Sequence, residues 1–196
     1  MKHVIKTLKN SMLIVAVFTA LTSSATETSP YSIDDTKTAL TLNNVKMGDV
    51  LSIKDENGEV LYTEHIKVSG TYKKGFDLTA LPNGNYFFEV DKDVEVKIIP
   101  FTVTNKNVAF NKNKEYISYK PYVRQKGDML FVSKLALDRE PLQVHIYADG
   151  NNGYELLLSE KLEGTQSLEK VYRLEKGNYK LVLISNDKEF TKFINN

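Results

Sequence analysis

With no cysteine among its 196 residues, the chain has no thiolate nucleophile, no Cys-based zinc site, no disulfide framework and no thiol for lipid attachment. Three sets of residues remain that could do chemistry. They are two histidines in the body of the chain, His65 and His145; two acidic turns, Asp55-Glu56-Asn57-Gly58-Glu59 and Asp91-Lys92-Asp93; and three tyrosines, Tyr116, Tyr119 and Tyr122. A Ser-His-Asp triad or a His-rich metal site needs side chains that converge in one pocket. Each histidine instead shares a strand face with polar neighbours, His65 with Thr63 and Lys67 and His145 with Gln143 and Tyr147, opposite the apolar set. Hydrolase signatures such as Gly-x-Ser-x-Gly and His-Glu-x-x-His are absent, as are a phosphate-binding loop and a dinucleotide fingerprint. The reading is therefore not an enzyme.

Calcium takes about six to eight oxygen ligands, and neither acidic turn has the spacing of an EF-hand loop. Both turns read as hairpin connections that are acidic because they face water, and no metal or other cofactor is expected. The three tyrosines lie near Asn105, Asn107, Asn111 and Asn113. Aromatic rings stack on sugar rings while amides bond hydroxyls, so this set is the candidate contact for a glycan or a partner. On a single strand Tyr116 and Tyr122 would share one face and Tyr119 the other, a parity that favours packing between domains over a sugar platform.

The elements that must position these residues begin with an address. Lys2, Lys6 and Lys9, an apolar run from Met12 to Leu21, and Thr22-Ser23-Ser24-Ala25 follow the order of a secretory signal peptide over residues 1–25, with cleavage after Ala25. The apolar run is about ten residues, where a membrane span needs about twenty, so no transmembrane anchor is expected. Cleavage removes three lysines and takes the formal charge from +1 to −2. So balanced a chain suggests neither a nucleic-acid partner nor a basic membrane-binding surface.

The body is written twice. Ser52 to Leu61 matches the stretch from His145 to Leu157; Gly70-Thr71 returns as Gly164-Thr165; and Leu81-Pro82-Asn83-Gly84-Asn85-Tyr86-Phe87-Phe88 returns as Leu174-Glu175-Lys176-Gly177-Asn178-Tyr179-Lys180-Leu181. Three landmarks in one order and at nearly one offset indicate a duplication. Alternation in each copy predicts strands: Leu51 and Ile53; Val60, Tyr62, Ile66 and Val68; Tyr86, Phe88 and Val90; then a strand near 94–103 with Pro100 at a bulge or edge. The second copy repeats the plan with Val144 and Ile146, Leu156 and Leu158, Val171, and Tyr179, Leu181 and Leu183. Residues 155–163 are helix-forming in composition, but the matching stretch Val60-Leu61-Tyr62 is β-prone, so a strand is expected there. One pair of strands, 115–123 and 129–137, should open the second copy.

These patterns predict an all-β protein of two tandem immunoglobulin-like antiparallel β-sandwich domains. The expected boundaries are a mobile lead-in at 26–36, a first sandwich at 37–104, a linker at 105–114 around a short strand at 108–110, and a second sandwich at 115–196.

The pattern Leu51-x-Ile53-x-Asp55-x-Asn57-Gly58-x-Val60, followed by Phe76-Asp77-Leu78-Thr79-x-Leu81-x-x-Gly84-x-Tyr86-Phe87, resembles the type IX secretion-system C-terminal sorting domains and related small secreted bacterial β-sandwich families. The match covers most of 38–104 and, more weakly, 129–194. The resemblance implies a compact sandwich and export. It implies a sorting role less directly, because that signal is read at the C-terminus and the terminal copy carries Ala148-Asp149-Gly150-Asn151-Asn152-Gly153 where the compact turn belongs.

The expected function is a non-enzymatic exported structural or protein-interaction module, periplasmic, surface-bound or secreted, with edge strands available to partners. The alternative is a carbohydrate-binding module.

Overall fold

The computed structural model describes residues 31–34 and 37–196. The proposed signal peptide and residues 26–30 lie outside the described residues. The protein is all-β and divides into two compact units between Ile117 and Ser118.

The first unit contains β1 (Tyr31–Asp34), β2 (Lys37–Val45), β3 (Val50–Asp55), β4 (Val60–His65), β5 (Gly70–Phe76), β6 (Gly84–Asp91), β7 (Glu95–Thr104) and β8 (Asn107–Phe110). One sheet has the order β1-β2-β5; the other has the order β4-β3-β6-β7-β8, and β9 (Tyr116–Tyr119) also pairs with β7. The inward residues Leu40 and Leu42 of one sheet and Leu51, Ile53, Phe88 and Phe101 of the other form one buried cluster. Alternation at period two thus places the core between two sheets, as the sequence predicts.

The second unit contains β10 (Tyr122–Lys126), β11 (Met129–Leu135), β12 (Leu142–Gly150), β13 (Gly153–Leu162), β14 (Ser167–Arg173), β15 (Asn178–Ser185) and β16 (Lys188–Asn195). Its sheets run β10-β11-β14 and β13-β12-β15-β16, the same order as β1-β2-β5 and β4-β3-β6-β7. Register fixes which residues correspond. Ile53 lies opposite Phe88 and Tyr62, and Ile146 lies opposite Leu181 and Leu158.

The corner entering β6 in the first unit and β15 in the second carries the same tyrosine bond. Tyr86 donates its hydroxyl to the Pro82 carbonyl at 2.9 Å, and Tyr179 donates to the Glu175 carbonyl at 2.9 Å. A tyrosine at this strand start, bonded back to the corner it follows, is a recurrent device of sandwich domains. A Cβ on Gly84 would come within 3.3 Å of the Tyr86 hydroxyl, which explains the small residue there.

The chain adopts the hairpin expected at Asp55–Gly58. Gly58 has φ 83°, and Asp55 Oδ1 accepts from the backbone N–H groups of Asn57 and Glu59 at 2.9 and 2.8 Å. Residues 153–162 form a strand and not a helix.

Other expectations need correction. Residues 31–34, within the expected lead-in, form β1 and pair with β2. The expected linker contributes β8 to the first unit, where Val108 and Phe110 pack on the core. Pro100 lies opposite Phe87 in an unbroken β6–β7 ladder with no bulge; β8 pairing begins only at Phe101, and the Pro100 carbonyl still accepts from the Asn111 N–H at 3.1 Å. Val60 and Val68, expected on a half-buried face, are exposed, because β4 is an edge strand and ends at His65; Ile66 beyond it is buried. The single strand expected at 115–123 is two strands, β9 and β10, interrupted at Lys120-Pro121, where the proline has no N–H to give a ladder.

Candidate functional site

The strand break at Pro121 removes the parity argument for the three tyrosines. Tyr116 is exposed on β9 in the first unit, Tyr119 is half-buried at the end of that strand, and Tyr122, 65% exposed, opens β10 in the second unit. Their ring planes are not ordered by a common strand. Tyr119 has a structural task as well: its carbonyl accepts from Lys134 Nζ at 2.6 Å. Lys134 is a wholly buried ammonium on the inward face of β11, and Glu140 Oε1 at 3.0 Å completes its pairing. A buried lysine without such partners would cost several kcal/mol.

The acidic turns engage carboxylates within the protein. Asp55 caps its own turn and Asp93 pairs with Lys46 at 2.8 Å. Among the described residues no group of three or more His, Cys, Asp or Glu side chains is placed to hold a metal ion. His65 is exposed and His145 half-buried. His145 lies between the inward Val144 and Ile146 and opposite Val182 on the outward face. No helix among the described residues is long and apolar enough to cross a membrane.

Two features emerge that the sequence reading did not single out. The first is an aromatic patch on the outward face of the β13-β12-β15-β16 sheet. Tyr147 lies opposite Lys180 and Leu156, and Lys180 lies opposite Phe193. The Lys180 ammonium sits 4.7 Å from the Tyr147 ring centroid and 5.2 Å from that of Tyr154, and Tyr154 meets Phe193 at 6.0 Å. Phe193 is 66% exposed, whereas Phe190 on the opposite face packs on the core. Strand parity alone divides the two phenylalanines, and the same parity applied to Tyr147 and Lys180 would have marked the patch from the sequence.

The second feature is a clasp found in each unit between an edge strand of one sheet and a strand of the other. In the first unit Glu64 of β4 accepts from Lys74 of β5 at 2.6 Å, from Tyr62 at 2.5 Å and from Tyr72. Lys74 also rests over the Tyr62 and Phe76 rings. Burial pushes the Glu64 pKa up, but the hydrogen bonds from Lys74 and Tyr62 and the charges of Lys74 and Lys67 outweigh it and leave the carboxyl below its ordinary value. In the second unit Glu160 of β13 takes the register position of Glu64 and pairs with Lys170 of β14 at 3.3 Å. The flanking residues differ. Leu158 and Leu168 stand where the first unit has Tyr62 and Tyr72, while Tyr172 stands where it has Phe76.

Tyr172 is wholly buried, and its hydroxyl and Glu160 Oε1 are both enclosed without a completed hydrogen bond. Burial first, and the hydroxyl's approach to the Glu160 carboxylate as hydrogen-bond partner and charge second, hold the Tyr172 phenol neutral far above its ordinary range. A groove of about 580 Å³ opens beside this second clasp. It is lined by the end of β13, the start of β14 and the turn between them. No protein-family model and no curated protein matches the chain.

Proposed function

We propose that the protein is a non-enzymatic exported module, made of two tandem immunoglobulin-like sandwiches that arose by duplication, which serves a structural role or holds protein partners through its edge strands. The observation that carries this reading is one plan written in both units. The strand order of the two sheets, the tyrosine corner at Tyr86 and Tyr179, and the Glu–Lys clasp at Glu64 and Glu160 coincide position by position. A repeated sandwich multiplies surface and edge strands without assembling reactive groups. Among the described residues β4 and β13 each pair with one strand only and leave Val60, Leu61, Tyr154 and Leu156 exposed. The C-terminal unit is also the candidate for a sorting signal, on its resemblance alone.

The test has two parts. N-terminal sequencing of the exported product should give Thr26 as the first residue. Photo-crosslinkers at Val60 and Leu156, in cells that make the protein, should yield a discrete adduct from at least one of the two edges. An intact Met1 on released protein refutes export by cleavage, and no adduct from either edge refutes the interaction role.

A carbohydrate-binding module is the second reading, favoured by the Tyr147, Tyr154 and Phe193 patch. Aromatic rings gathered around Lys180 on one sheet face offer stacking surface beside a hydrogen-bond donor. Glycan-array binding lost in Phe193→Ala would support it; loss in Tyr122→Ala instead would return the site to the tyrosines near the strand break.

A further inference from the structure

The outward row that crosses the larger sheet of the second unit reads Leu156, Tyr147, Lys180 and Phe193, each opposite the next. By register the same row of the first unit reads Val60, Lys54, Phe87 and Pro100. Each row carries one lysine, and the two lysines are surrounded differently. Lys54 is neutralised by Glu89 of the neighbouring strand at 3.0 Å. The position of Glu89, opposite Ser52, is held in the second unit by Val182, opposite His145. The Lys180 ammonium has no carboxylate or hydrogen-bond partner among the described residues, and its neighbours are the Tyr147 and Tyr154 rings at 4.7 and 5.2 Å. The second unit therefore presents a half-buried cation without a counter-charge, set among Tyr147, Tyr154 and Phe193.

A cation held in this way suits an anionic ligand, because charge complementarity selects the partner and a charge-assisted bond is the stronger kind. The face decides the ligand's form. Phe193 is 66% exposed and lies directly across from Lys180 on the same face. Cross-strand neighbours stand about 4.5–5.5 Å apart at Cβ, so the carboxylate of a sugar stacked on the Phe193 ring comes within the lysine's reach. Asn178 and Asn195, the next outward pair, share one bond at 2.6 Å and keep an amide donor and an amide oxygen for hydroxyls. Asp149, on the same face opposite Tyr154, keeps a ligand's carboxylate on the Lys180 side. β12 and β15 are paired on both sides, so this face offers a peptide no strand pairing.

We infer that the outward face around Lys180 binds an acidic polysaccharide, one uronic-acid ring stacking on Phe193 with its carboxylate on the Lys180 ammonium. The inference rests on the carbohydrate-binding reading and narrows it to carboxylated sugars. The first unit supplies an internal control, since Glu89 already neutralises its lysine and Pro100 stands where the second unit has Phe193.

The test is a titration of the isotope-labelled full chain with tetragalacturonate and with tetramannuronate, each beside its methyl ester, which removes the charge and keeps the rings. At least one acid should shift the amides around Tyr147, Lys180 and Phe193 saturably and bind at least about tenfold more tightly than its ester. Phe193→Ala should abolish binding, Lys180→Gln should reduce it to the level of the ester, and Lys180→Arg should retain it. Equal binding of acid and ester, no saturable shift with either acid, shifts centred on the first unit, or binding indifferent to Lys180→Gln would overturn the inference. Polyglutamate bound at the same residues as tightly as the uronates would point to an acidic protein segment and overturn it as well. Binding of neutral glycans that is lost in Phe193→Ala, with neither acid bound, would sink the inference and leave the carbohydrate-binding reading standing. Failure of neutral glycans and of both acids to bind would sink that reading too.

Discussion

Replacing Tyr86 or Tyr179 by phenylalanine removes one hydroxyl and leaves the ring in its core. Each hydroxyl donates to a carbonyl four residues upstream at 2.9 Å. A neutral bond of this kind contributes about 0.5–1.5 kcal/mol net. For a unit of this size 1 kcal/mol lowers Tm by about 4–8 °C, so each Tyr→Phe variant should lose several degrees in its own unit.

Truncation to alanine adds the ring. Both tyrosines are buried, Tyr86 at 8% and Tyr179 at 4% exposure, and loss of a large buried aromatic costs about 3–5 kcal/mol. The two sites should then part company. Tyr86 stacks on Phe101 with centroids 5.6 Å apart, whereas the strand partner of Tyr179 is Ile194. An aromatic pair is worth about 0.5–1.5 kcal/mol beyond its area, which should make Tyr86→Ala the costlier change. The assay is urea unfolding followed by circular dichroism, with amide resonances assigning each transition to its unit. Equal losses for Tyr→Phe and Tyr→Ala would refute the reasoning, because the hydroxyl cannot account for the burial of a ring. Parent-like melting of both alanine variants would refute the strand register.

Phe190→Ala should destabilise the second unit by more than about 1 kcal/mol, while Phe193→Ala should stay within about 0.5 kcal/mol, as exposed positions do; equal effects in chemical denaturation would mean that β16 has the other register. The Glu64 carboxyl has a folded pKa below its ordinary 4.5, so its contribution is complete above that value and is lost as pH falls through the depressed one. Glu64→Gln should therefore flatten the acid limb of the first unit's stability as pH falls below about the ordinary 4.5, and an unchanged limb in pH-dependent melting would exclude the clasp as its cause. Because Tyr172 is held neutral above its ordinary 10.0, the second unit should lose stability above about pH 10, where the unfolded phenol ionises and the folded one does not. Tyr172→Phe should remove that alkaline loss, and persistence of the loss would show that another group titrates.

Much of the fold was legible in the sequence because period-two alternation and Gly-containing turns are local properties. Tyr86, Phe88 and Val90 share a face by spacing alone, and Asn57-Gly58 makes its turn from its own backbone preferences. The recurring corner and turn residues were legible for the same reason, since they follow one another in the same order in both halves of the chain. What local pattern could not reach was pairing. That Val60 lies on an exposed edge, that β8 joins the first sheet, and that Pro121 splits the tyrosines between two strands depend on which strands lie side by side. The clasp is the sharpest case. Glu64 and Lys74 are ten residues apart and Glu160 and Lys170 likewise, yet nothing in that spacing says that the two strands belong to different sheets meeting at an open side. Only the tertiary structure places a carboxylate of one sheet against an ammonium of the other. It alone brings Leu162 and Leu168 together along one groove beside the second clasp, because a cavity is set by the volume that neighbouring strands fail to fill.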